Sequence, residues 1–273
     1  MQKLTKLISN LWLPVLIIII SACQNEADNT TAKSTNAFSD ETLLSIYEHQ
    51  DRRNTEALVD YFDDSNPTYR AAAAEAMGSV QDSLAIPMLA NLLNDENAKV
   101  RKAAAYALGQ TYDSAAMVPL TKALESEDSV FVKRELFEAL GKVVTQPKIY
   151  WLNQQPTPDP LEKEGLAWGI YRAGIRNVHD ELSVGTAIAL LDKEHNYETR
   201  LAAAHFLSRS RNLELKNYLL QLIASATQDS AANVRMAVVF ALGKIQSPTA
   251  LETLLNQGVK DRDYRVRVNA IRA

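Results

Sequence analysis

From residue 66 onward apolar residues recur with a helical period, and the pattern itself then recurs along the chain. Val100, Ala104, Ala107 and Leu108 stand at i, i+4, i+7 and i+8, which places them on one face of an α-helix. Met117, Leu120 and Leu124, at i, i+3 and i+7, form the inner face of a second helix, and Ile86, Leu89 and Leu93 anticipate it one copy earlier. Asp95 or Asn97 is placed to cap the first helix. Gly109 is placed to end it, since glycine accepts the left-handed conformation of a C-terminal cap. Pro119 falls near the start of the second helix, where its missing N–H costs nothing. Each copy therefore predicts a hairpin of two helices.

The copies carry a common signature. Val100-Arg101-Lys102-Ala103-Ala104-Ala105-Tyr106-Ala107-Leu108-Gly109 is echoed by Val234-Arg235-Met236-Ala237-Val238-Val239-Phe240-Ala241-Leu242-Gly243. The basic anchors Arg70, Arg101 and Lys133 are 31 and 32 residues apart, and Arg200, Arg235 and Arg267 are 35 and 32 apart. The 67 residues between Lys133 and Arg200 leave room for one degenerate copy, filled by residues 165–173. A single hairpin buries too little apolar surface to offset the entropy of ordering it, so neighbours are obligatory. Residues 39–65 lack the Val-Arg and Ala-Leu-Gly marks and are expected to form a capping hairpin, begun by Ser39 or Asp40. Residues 266–273 reproduce only the opening of a further copy, so the last repeat is expected to be incomplete and to fray after about residue 260.

These Asp, Val-Arg, Ala and Ala-Leu-Gly positions resemble the short HEAT repeats first named from phycobilin lyases, over residues 66–273. The resemblance implies an all-α fold, an α-solenoid of stacked HEAT-type hairpins, with the second helices lining a concave surface for a peptide or partner domain. The fixed place of Arg70, Arg101, Arg200, Arg235 and Arg267 assigns them to bracing a carboxylate or carbonyl of an adjacent repeat. The run Ala167-Trp168-Gly169-Ile170-Tyr171-Arg172-Ala173-Gly174, with residues 200–207, also resembles the N-terminal region of bacterial HEAT-repeat lipoproteins. Some of those carry a cyclophilin-type peptidyl-prolyl isomerase domain after the repeats; no cyclophilin barrel is encoded here.

The start of the chain follows another pattern. Lys3 and Lys6 precede an apolar run over residues 11–20, then Ile20-Ser21-Ala22-Cys23. The run is about half the roughly 20 apolar residues that span a bilayer, so residues 1–22 predict a signal peptide. The series resembles the lipobox of bacterial lipoproteins, which implies that Cys23 is lipidated and cleaved to become the first residue. Residues 24–38 are polar and aperiodic and predict a flexible tether. Gln24 is not the aspartate that retains many lipoproteins at the inner membrane, so the resemblance favours the outer membrane of the cell envelope.

Composition narrows the function. The chain of 273 residues carries 29 Lys and Arg against 33 Asp and Glu, a formal charge of −4, which is no footprint for nucleic acid. With one cysteine no internal disulfide forms. None of His49, His179, His195 and His205 is followed by Glu, the dyad by which HEAT-repeat iron hydroxylases bind metal, and no pair has helical metal spacing. No phosphate-binding glycine loop or nucleophile elbow is present, so the reading is a scaffold with no catalytic residue, metal or cofactor.

The most individual segment is residues 150–172, where Pro156, Pro158 and Pro160 predict a non-helical excursion flanked by Tyr150, Trp151, Trp168 and Tyr171. With Arg172 these aromatics are either a patch for a protein or peptide partner or the filling where repeat geometry falters; the second reading is the more economical.

Overall fold

The structure, a computed structural model, describes residues 39–273. The expected signal peptide, Cys23 and the expected tether lie outside these described residues. Fifteen α-helices and no strand are found among them. The first two are α1 (Glu41–Asp51) and α2 (Thr55–Val59). Six further hairpins follow: α3 (Pro67–Val80) with α4 (Ile86–Leu92), α5 (Ala98–Gln110) with α6 (Met117–Ser126), and α7 (Val130–Val143) with α8 (Ile149–Asn153). Next come α9 (Pro160–Ile175) with α10 (Glu181–Ala189), α11 (Tyr197–Arg209) with α12 (Leu219–Gln228), α13 (Ala232–Gly243) with α14 (Pro248–Asn256), and then α15 (Tyr264–Arg272). No helix among the described residues is long and apolar enough to cross a membrane.

The helices start where side-chain oxygens satisfy their free N–H groups. Asp40 caps α1, Asn66 caps α3, Asn97 caps α5 and Asn196 caps α11. Asp95 accepts instead from the Asn97 N–H, two residues outside the cap. Pro160 belongs to a helix, since it opens α9 behind Asp159 and a capping box closed by Glu162. The proline-rich excursion is thereby reduced to residues 154–159.

The expectation that Gly109 ends its helix is corrected. Gly109 lies inside α5, and no glycine among the described residues has positive φ. The left-handed turn residues are Arg53, Gln81, Tyr112, Asn177, Asn212 and Gln246. Gly109 serves proximity: a Cβ there would stand 2.8 Å from the Ala139 Cα of the next repeat. Gly141 is closer still, against the Gly169 backbone.

These small residues decide which layer is inner. Successive first helices pack on one another from α3 through α5, α7, α9, α11 and α13 to α15. Successive second helices come together appreciably only at α8 with α10 and α12 with α14. In a curved two-layer stack the more closely spaced layer is the inside of the bend. The concave face is therefore lined by the first helices, and the expectation that second helices line it is overturned. The core between the layers is continuous and fully buried, with Leu89, Leu108, Leu120, Leu136, Leu140, Phe206 and Leu242 among its members.

The braces expected of the repeated arginines are present at four of the five; Arg267 donates only to the Asp261 and Arg262 carbonyls of its own entry loop. Arg70 holds Asp95 at 2.8 and 3.0 Å, Arg101 holds Glu127 at 2.8 and 2.7 Å, Arg200 holds Asp229 at 2.7 and 3.2 Å, and Arg235 holds Asp261 at 2.8 Å twice. Each acid lies in the loop that enters the following repeat. The remaining guanidinium nitrogen donates back to carbonyls of its own entry loop: Asp64 and Ser65, Asp95 and Glu96, His195, and Asp229 and Ser230. Bidentate geometry and low exposure make these strong bonds.

Candidate functional site

With Lys163 taken as the anchor of the degenerate copy, the eighth residue past each anchor is Gly78, Gly109, Gly141, Tyr171, Ser208 and Gly243. Tyr171 thus stands in the small-residue position. The register is confirmed by packing, because Gly141 meets Gly169 as Gly109 meets Ala139. The fifth residue past each anchor is Glu75, Tyr106, Glu138, Trp168, His205 and Phe240, and the ninth is Ser79, Gln110, Lys142, Arg172, Arg209 and Lys244. From α7 onward the inner layer therefore carries an aromatic-rich row beside a row of cations.

The two rows meet at α9 and α11. The Trp168 and Tyr171 rings sit edge to face at 5.7 Å, and His205 lies 6.3 and 5.7 Å from them. The Arg172 guanidinium lies 5.7 Å from the Trp168 ring and 5.6 Å from Tyr171, and it is paired with Glu138 at 2.9 Å. Arg209 lies over Tyr171 at 6.0 Å and donates to its phenol oxygen at 3.0 Å. Such contacts add about 0.5–2 kcal/mol each, the more so out of water. Glu138 is also within 3.6 Å of both Arg134 and Lys142. Nearby, burial and then the Glu138 charge push the Glu135 carboxyl above its ordinary range. Burial, then the Arg209 charge, holds His205 below the usual histidine range, which keeps the imidazole neutral at physiological pH. The His205 Nδ1 and Trp168 Nε1 atoms are buried without a hydrogen-bond partner.

Of the residues singled out from sequence, Trp168, Tyr171 and Arg172 are thus brought together on the inner layer. Trp151 is not with them. It sits half-buried on α8 in the outer layer, and no ring pair joins it to Trp168 among the described residues. Tyr171 is itself buried. His205, Arg209 and Glu138 were missed. The signal that finds them is the alignment of the degenerate copy on Lys163, which puts His205 and Arg209 in the rows of Trp168 and Arg172.

Two grooves run along this layer. One, of about 370 Å³, is lined by Tyr47, Gln50, Glu75, Lys102, Tyr106 and Glu135. The other, of about 220 Å³, is lined by His205, Ser208, Arg209, Met236, Phe240 and Asn269. No group of three or more His, Cys, Asp or Glu side chains among the described residues is arranged to hold a metal ion.

The pattern of HEAT repeats matches residues 55–141 and 219–273, just over half of the chain. Among curated proteins no relative matches. Among solved structures, human deoxyhypusine hydroxylase in complex with glycerol is 21% identical over 84% of this chain and 86% of its own, with a TM-score of 0.36. An engineered protein is 18% identical over 81% of this chain and 94% of its own, at a TM-score of 0.46. The complex of CpcE and CpcF of phycocyanin lyase from Nostoc is 19% identical over 86% and 82%, at 0.39. On the match of the repeat pattern over more than half of its length, the chain belongs to the HEAT-repeat family.

Proposed function

We propose that this protein is a non-catalytic scaffold that holds a protein or peptide partner on its inner helix layer, tethered to the membrane of a bacterial cell envelope through a lipidated Cys23. The observation that carries the reading is the side-chain chemistry of that layer. Small residues let its helices approach, yet Tyr106 lines one open groove and Arg209 and Phe240 the other, with Trp168 and Arg172 on α9 between them. Aromatic and arginine side chains of this kind carry most of the affinity at protein interfaces. The anchoring rests on the Lys3, Lys6, apolar, Ser-Ala-Cys23 series, and the outer-membrane placement on Gln24.

A photo-crosslinking residue placed at Phe240 or Tyr106 in growing cells tests the surface. Adducts should form there and not from Leu220, on the outer layer. Adducts from the outer layer alone would end the proposal. Cys23→Ser should abolish lipidation and detergent partitioning; an unchanged mass would remove the anchor. The likeness of residues 167–174 and 200–207 to isomerase-bearing lipoproteins favours a second reading, in which the repeats serve a cyclophilin-type domain of the same polypeptide. The coding sequence downstream decides between them.

A further inference from the structure

Four of the six ninth-position residues are cations, and three of them are already occupied. Lys142 has a 4% exposed side chain and faces Glu138. Arg172 is held by the same Glu138 through Nε at 3.0 Å and a second nitrogen at 2.9 Å. The Lys244 ammonium donates to the Leu207 and Ser210 carbonyls at 3.0 and 2.8 Å. Arg209 differs. It is exposed, no carboxylate pairs with it among the described residues, and its one polar contact is the Tyr171 phenol. A guanidinium has five N–H donors, so most of this fork is uncommitted while the ring beneath it restrains its position.

The groove beside Arg209 matches this charge with apolar surface. Phe240 is 41% exposed, Met236 is half-buried, and neither Asp nor Glu lines the walls. Asn269 uses its amide nitrogen on the Arg265 carbonyl at 2.8 Å, leaving its oxygen to accept. The groove crosses α11, α13 and α15. At roughly 8–10 Å between packed helices and about 3.3 Å per extended residue, five or six residues of strand-like chain span it. Its volume of about 220 Å³ is below that of most small-molecule pockets and suits one or two side chains. With Arg209 the one Lys or Arg among its lining residues, on a chain of net charge −4, the groove does not suit a phosphate backbone, which needs several cations.

We infer that this groove binds an extended acidic segment of a partner protein, with a carboxylate on the Arg209 fork, a neighbouring apolar side chain on Phe240 and Met236, and a backbone N–H on Asn269. The inference rests on the scaffold reading above and gives it a ligand chemistry.

The test uses the purified 273-residue chain in detergent micelles and a phage-displayed library of random dodecapeptides. Enriched peptides are then synthesised with a fluorophore and titrated by anisotropy. Peptides with Asp or Glu within three residues of Leu, Phe or Tyr should dominate. Arg209→Gln should weaken them by about tenfold or more, as expected for loss of a charged hydrogen bond, and Phe240→Ala should do the same. Arg209→Lys should weaken them less, and Leu220→Ala not at all. Arg209→Glu should turn the selection toward Lys- and Arg-bearing peptides. The inference is overturned by an absence of enrichment, by enriched peptides without acidic residues, or by sedimentation showing that Phe240 is instead covered by a second copy of the chain. Binding lost on Tyr106→Ala but not on Arg209→Gln would remove this groove and leave the scaffold standing. Binding that responds only to outer-layer changes would remove both.

Discussion

Replacing Arg235 with methionine tests the arginine braces at their most buried member. Arg235 is 2% exposed, and its side chain and that of Asp261 are 3% and 11% exposed, so solvent screens the pair little. Methionine fills most of the volume but loses two charged bonds to Asp261 and the bonds to the Asp229 and Ser230 carbonyls. Asp261 keeps only the Asp263 N–H at 2.8 Å. Breaking one side of a buried pair costs about 3–5 kcal/mol. For a domain of this size that lowers the melting temperature by roughly 6–20 °C. The loss should be local first, with amides of residues 229–273 exchanging before those of α3 and α5. In an Asp261→Asn background the same change should cost only about 1–2 kcal/mol, what remains being the carbonyl bonds. Chemical denaturation of the four proteins in that cycle measures it. A cost below about 1 kcal/mol, or an equal cost in both backgrounds, would show that the braces decorate the stack without holding it.

Acid should expose the same network. The Arg235 bond holds Asp261 below the ordinary carboxylate range, and against the opposing effect of burial Arg70 and Arg101 do the same for Asp95 and Glu127. Depressed folded-state values mean the unfolded chain binds more protons, so this stability is present above about pH 5 and is lost as pH falls through the carboxylate range; a melting temperature unchanged down to pH 3 would contradict it. Glu135 works in the opposite sense, being raised by burial, and should partly offset the loss. Gly141→Ala should destabilise by about 1–3 kcal/mol or more, because the methyl group enters the Gly169 backbone. Gly185→Ala, whose Cβ meets only the Tyr218 hydroxyl at 3.5 Å, should be neutral or stabilising by up to about 1 kcal/mol; urea midpoints that fail to separate the two would undercut the close-approach reading. Trp168→Phe removes a buried N–H that has no partner, so its stability loss should stay under about 1 kcal/mol despite the smaller ring; a loss above 3 kcal/mol would mean the indole nitrogen is satisfied.

The hairpins, their N-terminal caps and the role of four of the five repeated arginines were legible because each depends on neighbours in sequence or on a strict repeat. Asn97 precedes its helix, and Arg101 recurs as Arg235 in the same company. What escaped depends on distance between helices. Gly109 looks like a terminator until Ala139 is placed against it. Which layer is inner follows from how closely such residues let helices approach, a quantity no single hairpin contains. The candidate site was half legible. Trp168, Tyr171 and Arg172 stand out as an aromatic-cationic run, but Arg209 reaches Tyr171 across 38 residues of sequence. Trp151 shares the run's composition and points away because α8 belongs to the other layer.

The arginine braces have a mechanical consequence. Each fastens its own hairpin to an acid 25 to 29 residues further along, so each repeat is latched by its successor. Tension applied at the C-terminal end would open the latches one at a time, in reverse order of sequence. One repeat of 31 to 35 residues releases roughly 10–13 nm of extended chain at about 3.3–3.6 Å per residue. Pulled from its two ends, the stack would thus yield in steps of that length, with the interval between α9 and α11 out of sequence because Asn196 bonding Glu164 at 3.2 Å replaces the arginine latch there.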